Sequence, residues 1–418
     1  MATTLNMVYR TFDSFDAALE KQAEVFRQHH SGYDVALKSL DLPPLHNLMF
    51  DRGGLTNGEV DVFMCVTDWL AAAAQTGGLS RLNEFIEADP PEGWPDAWPE
   101  SLLGIQRDEQ GNICGLPYHD GPECFMYRTD LFEDESERSR FRSEYGYELA
   151  VPETWNRFLD VARFFNRPDE GLHGCIVAAY PDGHNSVYDF LIHLWSRGGV
   201  FLEARNRVGF DSPTAREALQ WYVDLIHEHG VTQPSPWEHD SVASGIEFAG
   251  GTAAMMWNWS GFAAVADLPE ISKIPGKVRV TPIPKGDGSA GRRASLNIYW
   301  VLTIPSGSSH KDAAYAFCKN AVSAEMDQYL TMVGGNGCRL STWNDADVRR
   351  AYQYYEVIEK IHRHALTLPR IPELAELLDA INRMVDDAVR LRKTVDAAVS
   401  DAAQESEELL ATAGYYRD

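Results

Sequence analysis

Trp257, Asn258 and Trp259 form the sharpest local signal in the chain, inside Gly251–Gly261 (GTAAMMWNWSG). An indole offers a flat apolar face and one N–H donor, and an amide beside it both donates and accepts. In a strand, residues two apart share a face, so Trp257 and Trp259 are expected on one side and Asn258 on the other. Asp68 and Trp69 follow the apolar run Asp61–Val66 (DVFMCV). Asp68 is placed either to meet a ligand or to cap the next helix, and Trp69 reads as core. Tyr9, Arg10 and Thr11 sit just past the first strand-like segment. The Arg10 fork suits vicinal hydroxyls, an acidic substituent, or an ion pair with a neighbouring acid. This is the chemistry of binding. The sequence has no Walker loop, no Gly-x-Gly-x-x-Gly, no Gly-x-Ser-x-Gly and no His-Glu-x-x-His, so nothing in it points to a cofactor or an enzyme. His227 and His229 are two apart, as are His362 and His364, a poor spacing for joint metal ligation on a helix. The six cysteines are dispersed without a Cys-x-x-Cys. They read mostly as small buried hydrophobes, with one or two disulfides left open and no metal cluster.

The elements that must position these residues alternate between strand and helix periods. Thr4–Tyr9 reads as a strand. Phe15, Leu19, Gln22 and Phe26 recur at helical spacing, giving a helix over roughly residues 12–30. A second strand follows at Tyr33–Leu40, and Asp61–Val66 suits a parallel strand covered on both faces. This is the start of an open α/β sheet, in which ligands gather at the carboxyl ends of the strands. Ile113–Tyr118 is expected to make the first crossing between lobes, and Val278–Pro284 the return. Between them, Thr154 opens a helix with the stripe Trp155, Leu159, Ala162 and Phe165. Ser212–Pro213 opens another, carrying Ala215, Leu219, Tyr222 and Ile226 and stopping at Gly230. Ile298–Ile304 is a late strand, and beyond about residue 345 the pattern is helical. The expected units are residues 1–117 with 281–322, and 118–280 with 323–418. Paired crossings make a hinge, and the cleft beside a hinge is the default ligand site.

Composition narrows the partners. With 418 residues the chain exceeds one comfortable core. Its formal charge of −25 argues against nucleic acid and anionic lipid. No apolar stretch is long enough to cross a bilayer. No signal-peptide pattern opens the sequence, and the early strand suits a mature exported chain.

In order and spacing the chain resembles the family 1 extracellular solute-binding proteins of ATP-driven importers. The resemblance runs through Asp61–Leu70 (DVFMCVTDWL), Gly78–Leu82 (GLSRL), Gly115–Tyr118 (GLPY), Tyr127–Phe132 (YRTDLF) and Pro152–Trp155 (PETW). It continues through Gly198–Phe201 (GGVF), Phe210–Leu219 (FDSPTAREAL), Gly251–Gly261, Leu302–Phe317 (LTIPSGSSHKDAAYAF) and Gly337–Ser341 (GCRLS). Where the family often has Gly-x-Pro-x-Arg, this chain reads Gly337-Cys338-Arg339. The resemblance implies a two-lobed α/β, periplasmic-binding-protein-like fold with hinge strands and a helical C-terminal region. It implies capture of a small carbohydrate or polyol by interlobe closure, delivery to an ABC permease, and a monomer that is periplasmic or lipid-anchored outside the cell.

A sugar presents C–H faces and a rim of hydroxyls, so its site needs aromatic platforms and hydrogen-bonding edges. By resemblance, Trp259 is the stacking platform, with Trp257 and Asn258 beside it. Asp120 and Glu123 follow the GLPY segment and face the ligand, Trp300 narrows the site toward a monosaccharide or alditol, and Arg339 joins the rim. Arg10 or Arg339 without a partner would favour a sugar acid or phosphorylated sugar. A glycoside hydrolase, using paired carboxyls, is the catalytic alternative.

Overall fold

The computed structural model describes residues 2–108 and 110–416. In chain order the strands are β1 (Thr3–Arg10), β2 (Tyr33–Leu40), β3 (Val62–Val66), β4 (Leu116–His119), β5 (Glu123–Arg128), β6 (His173–Ile176), β7 (Ala253–Trp259), β8 (Val278–Thr281), β9 (Ser295–Leu296), β10 (Trp300–Thr303) and β11 (Ala365–Leu366). Helices that frame them include α1 (Asp13–His29), α2 (Trp155–Phe165), α3 (Asn185–Ser196), α4 (Pro213–His227), α5 (Ser241–Ala249), α6 (Lys311–Ala321), α7 (Ala324–Met332), α8 (Leu374–Val389) and α9 (Val395–Ala413). They form two compact units. Among the described residues no helix is long and apolar enough to cross a membrane.

The first unit comprises Met1–Gly121, Ile298–Glu356 and Thr367–Pro372. Its sheet has the order β2-β1-β3-β10-β4. β1 pairs in parallel with β2 from Thr3↔Tyr33 to Arg10↔Leu40, and in parallel with β3. β10 comes from the returning chain and runs antiparallel between β3 and β4. Every residue of β3 is buried, as a strand covered on both faces requires. α1 buries Phe15, Leu19, Gln22 and Phe26, the stripe its spacing predicts.

The second unit comprises Pro122–Asn297, Val357–Leu366 and Glu373–Asp418. Its sheet has the order β6-β7-β5-β8, with β5 antiparallel to both neighbours and β6 parallel to β7. α2 begins at Thr154, whose hydroxyl accepts from the Arg157 N–H at 3.4 Å. Its buried stripe includes Phe158 and Val161, whereas Leu159 is only half-buried. α4 begins at Ser212, whose hydroxyl accepts from the Ala215 N–H at 3.2 Å. All residues of α3 are buried, because α3 lies beneath α4 and α8. A helix apolar nearly all round is one enclosed by its neighbours.

The crossings differ from those expected. The chain leaves the first unit after Gly121 and returns after Asn297, then passes between units again after Glu356, Leu366 and Pro372. β4 stays in the first unit because β10 pairs with it, and β8 stays in the second because β5 does. Residues 323–356 also belong to the first unit. There α7 packs against α1 and α6, an association that the short period of α7 does not announce.

Candidate functional site

In the second unit, β5 and β7 pair so that Glu123 lies opposite Trp259 and Phe125 opposite Trp257. Directly opposed residues of an antiparallel pair project on the same side of the sheet. Both tryptophans face α3, as their spacing requires, but at different depths. Trp257 is 2% exposed and packs edge-on against Trp155, Phe158 and His193. Its indole N–H donates to Asp189 at 2.6 Å. Trp257 is therefore core, with no face to offer a ligand, contrary to its place among the binding candidates.

Trp259 is half-buried at the end of β7. Its Nε1 donates to the Asn185 Oδ1 at 3.2 Å, and Tyr188 meets it edge-on at 5.8 Å. Asn185 is in turn held by Asp182, whose carboxylate accepts from its amide Nδ2 at 3.2 Å and from its backbone N–H at 3.3 Å. The first turn of α3 thus fixes one edge of the indole. Asn258 faces the other way, as expected, but its amide is spent on scaffolding. It donates to the Ser241 carbonyl at 3.0 Å and accepts from the Trp259 N–H at 2.8 Å.

Beside Trp259 lies a group of buried polar atoms with no hydrogen-bond partner among the described residues. They are Glu123 Oε2, both amide atoms of Asn297, and Ser186 Oγ. Asn297 is 1% exposed and bridges to Pro122, next to Glu123, while Ser186 follows Asn185 on α3. Buried polar groups are almost always paired, so such a cluster marks a place built to be completed by something else. Burial and the charge of Asp189 push the Glu123 carboxyl well above the usual carboxylate range. Asp189 itself is pushed up to about 7 by burial, against the lowering effect of bonds from Tyr222 at 2.8 Å and Trp257 at 2.6 Å.

In the first unit, Asp68 occupies the single 3₁₀ turn Thr67–Trp69 beyond β3, at the carboxyl end of a sheet strand. Trp69 packs on His46 and Phe50 as core. Asp120 is fully buried just after β4, its N–H donating to the Asn336 carbonyl at 2.8 Å. Trp300 is half-buried at a bulge in β10, paired with Val66 and His119. His119 was not singled out from sequence. Its ring lies edge-on to Phe15 at 4.7 Å, and burial holds its pKa down to about 4.

Three candidates in this unit serve the architecture. Tyr9 is buried and donates to Asp16 at 2.6 Å. Arg10 makes an ion pair with Asp41 at 2.9 Å, one of the readings left open for it. Arg339 is 3% exposed and stacks its guanidinium 4.3 Å from the centre of Trp98. It donates to the carbonyls of Val322 and Glu92 at 2.9 and 2.7 Å. It pins the stretch that carries Glu92 and Trp98 to the unit, so its guanidinium is engaged in scaffolding.

Asn185, Ser186, Asp189 and Asn297 surround Trp259 and Glu123, and sequence reasoning did not single them out. The signal for Asp189 is a lone acid in the apolar run Val187–Trp195 (VYDFLIHLW), where a charge must be paired or protonated.

The profile of the bacterial extracellular solute-binding proteins matches residues 11–328, and the chain belongs to that family. A mannitol-binding protein of Pseudomonas aeruginosa is 23% identical over 423 residues, spanning 95% of this chain and 91% of that protein. The maltose-bound MalE3 of T. maritima superposes with a TM-score of 0.84 at 27% identity, covering 98% of this chain and all of that one, 100%. An ABC transporter solute-binding protein of Agrobacterium radiobacter in complex with ribitol gives a TM-score of 0.85 at 24% identity, covering 97% and 98% of the two chains. The fold is the one these proteins share.

Proposed function

We propose that this protein captures a small neutral carbohydrate or alditol and delivers it to the permease of an ABC importer. Trp259 supplies the stacking face. Glu123, Asn297 and Ser186 supply hydrogen bonds from the second unit, and Asp68, Asp120 and Trp300 are the contributions of the first. The observation that carries the reading is the set of unpartnered buried polar atoms beside an indole whose edge is anchored to Asn185. Hydroxyl groups would satisfy those atoms, each unmade buried bond costing about 1–3 kcal/mol. The mannitol-binding relative supports an alditol as the first ligand to try. Ligand binding shifts the population toward closure of the two units, and the permease reads the closed state.

The guanidiniums of Arg10 and Arg339 are engaged by Asp41 and by main-chain carbonyls, which favours a neutral ligand over a sugar acid or a phosphorylated sugar. The protein acts outside the cytoplasm, in a periplasm or tethered by lipid, as a monomer and without catalysis.

Calorimetry against D-mannitol, ribitol and maltose tests the assignment. Trp259→Ala is expected to weaken binding at least about tenfold, which is ~1.4 kcal/mol. Unchanged affinity would remove Trp259 from the site. Incubation with glycosides is expected to give no turnover, and size-exclusion chromatography a single-chain mass.

A further inference from the structure

Two carboxyls stand on facing elements of the second unit. Glu123 projects from the start of β5 on the side of the sheet that faces α3. Asp189 projects from the middle of α3, where Trp257 of β7 and Tyr222 of α4 both donate to it. We propose that Glu123 carries a proton at neutral pH and meets the ligand as an uncharged carboxylic acid, which selects neutral polyols and makes capture weaken as the solution becomes alkaline. This rests on the reading above that Glu123 lines the ligand site.

The groups around Glu123 supply the argument. It is 2% exposed, so ionisation there carries a large desolvation penalty. The titratable groups that act on it or feel its charge are Asp189 from α3, Tyr222 from α4 and its own neighbour Cys124. All of them are acids. On the other side of β5, β8 brings Arg279, but the register sets it opposite Tyr127, toward the far end of the strand. β9 brings Ser295, whose hydroxyl donates to the Glu123 carbonyl at 2.5 Å and leaves the carboxyl alone. His193 of α3 packs on Trp257 and Tyr222, and burial with the nearby Arg197 charge holds it neutral.

Two facing carboxyls without a cation cannot both ionise cheaply, so the pair retains a proton. Which member holds it follows from the hydrogen bonds. Asp189 accepts two, each of which stabilises its anion. Glu123 Oε2 accepts none among the described residues. The charge settles on Asp189 and the proton on Glu123, in line with the strong upward displacement of the Glu123 carboxyl. A neutral acid presents one donor and one acceptor, the same pair a hydroxyl presents in return. An anionic ligand would add another negative charge beside Asp189.

The test has a ligand-free arm and a ligand arm. Infrared difference spectra of wild type minus Glu123→Gln at pH 7, without ligand, are expected to show the C=O stretch of a protonated carboxyl in the wild type. Calorimetry with D-mannitol from pH 6 to 9 is expected to show wild-type affinity falling, approaching about tenfold per pH unit once the acid ionises. Glu123→Gln is expected to abolish that slope. Asp189→Asn removes the neighbouring charge and is expected to move the fall to lower pH. A carboxylate-only spectrum, a flat wild-type profile, or a slope retained by Glu123→Gln overturns the proposal. If wild type fails to bind D-mannitol, the ligand assignment falls, while the infrared arm still decides where the proton sits.

Discussion

Asp327 in the first unit and Glu123 in the second are both 2% exposed, and their surroundings are opposites. Asp327 accepts from the N–H groups of Cys338 and Arg339 at 2.7 and 3.2 Å, and from the Thr342 hydroxyl at 2.5 Å. Each of its oxygens is occupied, and together they hold the Gly337–Thr342 turn in shape. Glu123 has an oxygen with no partner among the described residues, beside an asparagine amide in the same condition. A buried acid whose acceptors are filled from its own unit is architecture. One whose acceptor is left open is available to a ligand, which is the role we propose for Glu123. Trp257 and Trp259 repeat the contrast on one strand, the first sealed against Trp155 and the second anchored by an edge and only half-buried.

Substitutions can break this comparison or sharpen it. The largest expected effect is Trp257→Ala, which should lower the unfolding free energy by about 3–5 kcal/mol in urea denaturation. A loss no larger than that of Trp259→Ala would mean the two rings do not divide as described. Asp327→Ala leaves three donors unpaired and should cost about 3 kcal/mol of stability while D-mannitol affinity stays unchanged. A collapse of affinity at intact stability would turn the comparison around.

The next effect, smaller per pH unit, concerns protonation. The folded-state pKa of Asp189, about 7, lies above its ordinary 3.8, so the folded protein holds that proton more tightly than the unfolded chain does. Its contribution is fully present below pH 4, declines as pH rises from about 4 to 7, and is level above that, at up to about 1.4 kcal/mol per pH unit. Denaturation across that range should show a slope in wild type that is shallower in Asp189→Asn. The smallest effect is Arg10→Ala, which breaks an exposed ion pair and should change stability by less than about 1 kcal/mol, with no change in D-mannitol affinity.

Much of the fold was legible because periodicity is a property of residues alone. α1, β2, β3 and the caps at Thr154 and Ser212 follow from spacing and capping chemistry. The crossings were displaced because pairing partners decide them: β4 is claimed by β10 and β8 by β5, across long stretches of chain. At the site, sequence shows a side chain's type and not its company. Arg339 and Tyr9 have the right chemistry for a rim, yet each is already engaged, by carbonyls and by Asp16. Asn297 has ordinary chemistry and an extraordinary position, fixed by a bridge to Pro122 far away in the chain. That Trp257 and Trp259 share one side of their strand was legible from spacing alone.

All six cysteines are free and buried. Burial raises the thiols throughout, Cys114 to about 11, so little reactive thiolate exists while the chain is folded. The sulfurs therefore meet reagents only when a unit opens. Cys65, Cys114, Cys318 and Cys338 lie in one unit and Cys124 and Cys175 in the other, so alkylation followed residue by residue would time the breathing of each half separately.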